Sequence, residues 1–233
     1  MLEVRGIDVF YGKVQVLRQL SLHVAAGEVL CLLGRNGAGK TTTLKAIMGL
    51  LRPGAGRILL AGADITALPA HQVPKRGIAY VPQGRRLFSL LTVRENLEIG
   101  LMTRSTGPDT LERVLASFPV LRDRLRQPAG TLSGGEQQML AMARALCIEP
   151  VVMLLDEPTE GLMPSMIARI RESVLALKAQ GVATVLVEQR VEAVLSVADR
   201  VAFIETGRAT AVLDVSALRD DPSLLRRYVG VGA

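Results

Sequence analysis

The chain is predicted to fold as an α/β unit on a parallel sheet, because short, wholly apolar runs alternate with segments of helical periodicity. Two runs carry the prediction. Val29–Leu33 and residues 151–155 are unbroken apolar stretches, as expected of strands covered on both faces. The first leads through a glycine-rich loop into a helical pattern, and the second ends in two carboxylates. With 233 residues the chain suffices for one substantial core, or for one core with an inserted subdomain, but not for two full catalytic domains.

Taken in order, Met1-Leu2-Glu3-Val4 starts as an alternating strand, Leu20, Leu22 and Val24 alternate again, and Gly27 turns the chain into the strand Val29–Leu33. A helix is expected from Lys40, ending before the Pro53-Gly54-Ala55-Gly56 turn, after which residues 57–60 resume a strand. Residues 78–81, following Gly77, form the next short strand. From about residue 84 to 149 the pattern becomes helical. Three capping-box spacings mark helix starts there: Thr92 with Glu95, Asp109 with Glu112, and Ser133 with Glu136. This stretch is expected to be an inserted helical subdomain. After Pro150 come the strand 151–155, a helix with Ile167, Ile170, Val174 and Leu177 on one face, its stop at Gly181, and the strand 182–187. The tail from about Asp214 reads as short helices without chemistry.

Composition excludes several classes. The longest uncharged apolar runs fall far short of the ~18 residues a membrane-crossing helix needs, and no basic-then-apolar leader precedes the first strand. A cytoplasmic location is therefore expected. Cys31 and Cys147 lie in apolar surroundings without CxxC or metal-type neighbours, which predicts two buried, reduced thiols. The net charge of +6 suits an anionic ligand. Its arginines are scattered, however, and with 3 Tyr and 4 Phe there is little to stack on bases, so no nucleic-acid partner is expected.

The chemistry begins at Gly34-Arg35-Asn36-Gly37-Ala38-Gly39-Lys40-Thr41, which fits GxxxxGK[ST] and stands between a buried strand and a helix. In such a loop, glycines let backbone N–H groups close on phosphate oxygens, and the helix N-terminus adds partial positive charge. Lys40 reaches the β- and γ-phosphates, while Thr41 offers its hydroxyl to Mg²⁺. Asp156 and Glu157 end the strand 151–155, and ligands of an open parallel sheet sit at the carboxyl ends of its strands. Asp156 is suited to hold Mg²⁺ and Glu157 to polarise an attacking water. Taken alone, the pair could merely terminate a strand; next to the phosphate loop it reads as chemistry. Ser133-Gly134-Gly135 opens a helix and would cradle an anion, although a Ser with a Glu three residues on also caps helices with no ligand.

These strings in this order resemble the nucleotide-binding subunit of ABC transporters, and the resemblance covers essentially the whole chain. It implies a RecA-like P-loop NTPase core with an antiparallel β-subdomain, both drawn from about 1–83 and 150–233, and a helical subdomain at 84–149. It also implies ATP and Mg²⁺ as ligands, hydrolysis of ATP, and a head-to-tail dimer that sandwiches two nucleotides. Ser133, Gly134 and Gly135 would then meet the nucleotide held by the partner's phosphate loop, whose counterpart here includes Gly34, Asn36, Gly37, Ala38, Gly39, Lys40, Thr41 and Thr42. By the same resemblance Tyr11 stacks on adenine, although a lone Tyr near an edge strand is more often packing. Gln83 joins the core to the helical insert, sensing Mg²⁺ and the attacking water beside the groove for a transmembrane partner.

Two positions depart from the family's pattern. Gln189 stands in Val187-Glu188-Gln189 where a switch histidine is expected, so this position hydrogen-bonds but carries no titratable proton. Met163 stands where an Asp commonly crosses to the other subunit. The strings CLLGRNGAGKTT, YVPQGRRLF, DEPTEGL and LVEQ resemble the second, LivF-type ATPase of branched-chain amino acid importers and the related ATPases for urea and short amides. The resemblance implies a paralogous ATPase or a second copy as partner, two membrane permeases, and a periplasmic binding protein acting indirectly. The subunit would sit on the inner face of the cell membrane through the permeases. The competing readings are a lipid or polysaccharide exporter ATPase, which Gln189 argues against, and a nucleic-acid or ribosome-associated ATPase, whose insertions this chain lacks.

Overall fold

A computed structural model describes residues 1–221 and 223–224. In chain order the strands are β1 (Leu2–Tyr11), β2 (Val14–Val24), β3 (Val29–Leu33), β4 (Ala55–Leu60), β5 (Ala63–Asp64), β6 (Ile78–Val81), β7 (Val152–Asp156), β8 (Ala183–Val187), β9 (Arg200–Glu205) and β10 (Arg208–Asp214). The helices are α1 (Lys40–Ile47), α2 (Val93–Arg104), α3 (Pro108–Ser117), α4 (Pro119–Arg122), α5 (Gly134–Leu146), α6 (Pro164–Ala179), α7 (Val191–Val197) and α8 (Val215–Asp220).

Alternation inside the apolar strands decides the layers. Every residue of β3, β7 and β8 is buried, so each strand must be covered on both faces. Leu30 and Leu32 of β3, Leu154 of β7 and Val185 of β8 join one core with Leu44 and Ile47 of α1 and with the inward side chains of β1 and β2. Cys31, Leu33, Met153, Leu155 and Leu186, offset by one residue, join the other with Met142 of α5 and Ile170 and Val174 of α6. Each such buried side chain contributes about 1.5–3 kcal/mol. Strands β6, β7, β8, β3 and β9 run parallel in that spatial order, and β10 adds an antiparallel edge. A separate antiparallel sheet has the order β2-β1-β4-β5. Helix α1 lies between the two sheets, touching β1, β2 and β7.

Helices α2 to α5 follow β6 and precede β7. The Thr92 and Ser133 capping boxes form as read: Thr92 N–H donates to Glu95 Oε2 at 2.7 Å, and Ser133 N–H to Glu136 Oε2 at 2.8 Å. The Asp109 box does not. The N-cap of α3 is Gly107, Pro108 takes the first helical position, and Asp109 lies inside the first turn, because the fixed φ of proline starts the helix two residues earlier. Asp156 is the last residue of β7 rather than the first beyond it. Residues 200–214, where no strand is expected from the sequence, form the β9–β10 hairpin. Of the expected helical tail, α8 is present, and residues 222 and 225–233 lie outside the described residues. Both cysteines are free and buried, and burial pushes the Cys147 thiol up to about 12. No helix among the described residues is long and apolar enough to cross a membrane.

Candidate nucleotide site

The parallel register brings four loops to one edge of the sheet. Val187 pairs with Asp156 on one side and Leu32 on the other, and Val81 pairs with Leu155. The segments following β3, β6, β7 and β8 therefore emerge level, in the crevice where a doubly wound sheet takes its ligand. They enclose a cleft of about 520 Å³ whose wall includes Gly37, Lys40, Thr41, Gln83, Glu157 and Gln189.

The loop after β3 is shaped by its contacts on one side and open on the other. A Cβ at Gly34 would stand 2.2 Å from the backbone Ile204 O, so packing forces that glycine, while Gly39 is required by its backbone at φ +114°. At Gly37, with φ +80°, nothing lies within 4 Å of where a Cβ would be. That open side is where an anion can approach the backbone. Helix α1 begins at Lys40 with no acidic residue in its first turn, which leaves its N-terminal partial charge uncompensated. Lys40 Nζ donates to Gly34 O at 2.6 Å and Arg35 O at 3.1 Å. Burial draws its ammonium below the usual lysine value, and the Glu157 and Asp156 carboxylates partly restore it. Asn36 is exposed, while Ala38 and Thr42 are buried in the loop and the first turn of α1.

Two oxygen ligands suited to a hard divalent cation meet next to the cleft: Thr41 belongs to its wall, and Asp156, 1% exposed, lies behind it outside the lining. Thr41 Oγ1 donates to Asp156 Oδ1 at 3.0 Å, and Tyr80 Oη donates to Asp156 Oδ2 at 3.1 Å. A hydroxyl and a carboxylate at this spacing fit Mg²⁺. Burial raises the Asp156 carboxyl above its ordinary range, opposed by the hydrogen bonds from Thr41 and Tyr80. Burial and the Asp156 charge also push the Tyr80 phenol upward, so it stays a donor.

Glu157 is held in a left-handed backbone at φ +50°, its N–H bonded to Val187 O at 2.9 Å. Such a conformation costs about 1–2 kcal/mol in a residue with a Cβ and is concentrated at functional sites. One amide meets each of its oxygens: Gln189 Nε2 donates to Oε1 at 2.6 Å and Gln83 Nε2 to Oε2 at 3.3 Å. Gln83 Nε2 also reaches Glu160 Oε2 at 2.9 Å. Sequence reading did not single out Glu160, Tyr80 or Val16, which also lines the cleft. Their side-chain contacts cross between elements, so no local spacing announces them.

Other expected site residues stand elsewhere. Ser133, Gly134 and Gly135 open α5 and do not line this cleft; Cβ atoms at the two glycines would stand 3.0 Å from Arg85 Nη2 and 2.7 Å from Met166 Cε. Tyr11, 44% exposed at the end of β1, also lies outside the lining, and Met163 is 68% exposed just before α6. A larger groove of about 670 Å³ shares Thr41 and Gln83 with the cleft and is lined also by Lys45, Tyr80, Phe88, Arg144 and Asp156. It lacks the glycine loop, so the smaller cleft is the one equipped for phosphate.

Known proteins resemble the chain along its length. Residues 17–160 match the family model described as ABC transporter. The high-affinity branched-chain amino acid transport ATP-binding protein BraG of Pseudomonas aeruginosa is 41% identical, over 99% of this chain and 100% of its own length. The lipopolysaccharide export system ATP-binding protein LptB of Escherichia coli strain K12 is 34% identical, over 93% of this chain and 91% of its own. Among solved structures, an ATP-binding subunit of an ABC transporter superposes with a TM-score of 0.86 at 29% identity, over 96% of this chain and 94% of that one.

Proposed function

This chain belongs to the ABC transporter family of ATP-binding subunits and is an ATPase of that family, and from that premise we propose that it hydrolyses Mg-ATP at the described cleft to drive import of branched-chain amino acids. The observation that carries the site assignment is the Glu157 carboxylate, held by Gln189 and Gln83 at the mouth of the phosphate loop. In this reading the backbone N–H groups of residues 36–42 and the Lys40 ammonium hold the phosphates. Thr41, Asp156 and Gln83 would hold Mg²⁺, which when bound neutralises charge on the phosphate oxygens. Tyr80 keeps one Asp156 oxygen occupied and so turns the other toward Thr41. Glu157 orients and polarises the attacking water, and its two amide partners keep its oxygens aimed into the cleft. Gln189 donates a hydrogen bond but takes up no proton, so proton movement falls to the carboxylate.

The placement of Ser133, Gly134 and Gly135 away from their own chain's cleft supports a head-to-tail dimer, with a paralogue or a second copy, in which they face the partner's nucleotide. Tyr11 would stack on adenine there. The groove beside Gln83 suits a helix of a membrane permease, with Gln83 common to both walls. The chain would thus be peripheral on the inner face of the membrane. Import of branched-chain amino acids rests on the 41% identity to BraG against 34% to the exporter subunit LptB, and on Gln189.

The test is Mg-ATP turnover by the chain with a paralogous ATPase and permeases in lipid, with and without a leucine-loaded binding protein. Stimulation by the loaded binding protein supports the importer reading. Turnover indifferent to every partner removes the transport assignment and leaves the ATPase.

A further inference from the structure

Glu188 is a buried charge that the chemistry above leaves unused. It is 3% exposed, directly follows β8, and forms no ion pair among the described residues. A buried carboxylate without a cation is tolerated only if its oxygens are filled by donors. Oε1 accepts from the Thr159 hydroxyl. Oε2 accepts from the Gln189 N–H at 3.0 Å and from the Arg190 N–H at 3.4 Å.

These donors belong to the two loops that frame Glu157. Thr159 follows Glu157 by two residues, and Gln189 is the residue whose amide grips Glu157 Oε1. The links close a ring: Glu157 leads along the chain to Thr159, Thr159 bonds Glu188, Glu188 bonds the backbone of Gln189, and the Gln189 amide returns to Glu157. The Glu188 carboxylate has one oxygen on each loop, Oε1 on Thr159 and Oε2 on the Gln189 backbone, and so spans both.

We propose that Glu188 is a positioning residue that locks the Gln189 backbone to the Thr159 loop and thereby sets the Gln189 amide against the Glu157 carboxylate. It acts through Gln189, and it rests on the reading of Glu157 as the water-polarising group. Its effect therefore falls on turnover and not on nucleotide capture.

The test uses the full chain with Mg-ATP, together with crystal structures of the wild-type and Glu188→Ala chains. Glu188→Ala and Thr159→Val are each expected to lower kcat by about tenfold while KM for ATP stays within about twofold. The double variant loses no more than the worse single one, because both cut the same ring. Thr159→Ser keeps the hydroxyl and restores kcat, and in a Gln189→Ala background Glu188→Ala costs nothing further. The Glu188→Ala structure should show the Gln189 to Glu157 hydrogen bond broken. Additive losses, a Thr159→Val chain with wild-type kcat, or an intact Gln189 to Glu157 bond would each overturn the proposal. Should Glu188→Ala fail to fold, the milder Thr159→Val carries the kinetic and crystallographic tests alone. A wild-type chain inactive toward Mg-ATP would remove the reading of Glu157, and the crystallographic comparison would still decide the positioning.

Discussion

Gln189 Nε2 lies 2.6 Å from Glu157 Oε1, so an amide that carries no titratable proton is the nearest partner of the carboxylate read as the water-polarising group. A neutral donor orients that carboxylate without competing for its proton.

Glu157→Gln is expected to lower hydrolysis at least about 10²-fold, the usual scale for losing a positioned base, and to leave ATP binding intact. Phosphate release and equilibrium nucleotide binding measured side by side decide this. A variant that hydrolyses at the wild-type rate removes Glu157 from the chemistry. With hydrolysis blocked, a nucleotide-dependent dimer should persist in size-exclusion chromatography.

Replacing the amide by an imidazole reintroduces a titrating group. Gln189→His should raise turnover of the chain alone and add an inflection to the pH profile near the ordinary histidine value of about 6.5. No gain at unchanged ATP affinity would mean that this position does not limit the rate.

The two loop glycines should fail differently. Gly34→Ala drives a methyl to 2.2 Å from Ile204 O, and the backbone of β9 has to move, so a loss of stability of several kcal/mol or insoluble expression is expected. Gly37→Ala meets no protein atom within 4 Å and suffers only the positive φ, about 1–2 kcal/mol. Its main loss should appear in nucleotide affinity, because the methyl enters the side open to phosphate. Denaturant midpoints and nucleotide titrations on both variants separate the two effects; a Gly37→Ala chain with unchanged affinity would mean that phosphate does not approach there.

Asp156 links function to stability with a definite sign. Burial raises its folded carboxyl above the unfolded value, so the charged form is a cost to the folded chain at neutral pH, and that cost fades as pH falls and the acid form takes over. Asp156→Asn should therefore raise Tm at pH 7 to 8 by roughly 2–4 °C, with the advantage shrinking toward acidic pH, while hydrolysis is lost. A variant less stable than wild type at neutral pH would show that the hydrogen bonds from Thr41 and Tyr80 outweigh the desolvation of the charge.

Much of this was legible because the signals are local. The apolar run of β3, the glycine loop and the start of α1 at Lys40 sit side by side in the chain, and backbone geometry follows from such short strings. Thr92 and Ser133 announced their helix starts through contacts only three residues long. Asp109 misled for the same reason: the spacing was right, but Pro108 had already fixed the first turn. What stayed hidden depends on register between distant strands. That Tyr80 would meet Asp156, or that Glu188 would bridge to Thr159, is set by the pairing of β6 with β7 and of β7 with β8, which no window of sequence contains.

Strand β3, which delivers the phosphate loop, is flanked by β8 and β9, strands made more than 150 residues later, and the Gly207 N–H then bonds Ala38 O within the loop itself at 2.9 Å. During synthesis β3 and the loop after it therefore emerge long before β8 and β9 exist. The glycine loop after β3 cannot gain its full set of contacts until the chain has been made as far as Gly207, so closure of this part of the fold is late and long-range. A chain stalled before β9 would leave one edge of β3 unpaired and the loop after it unsupported.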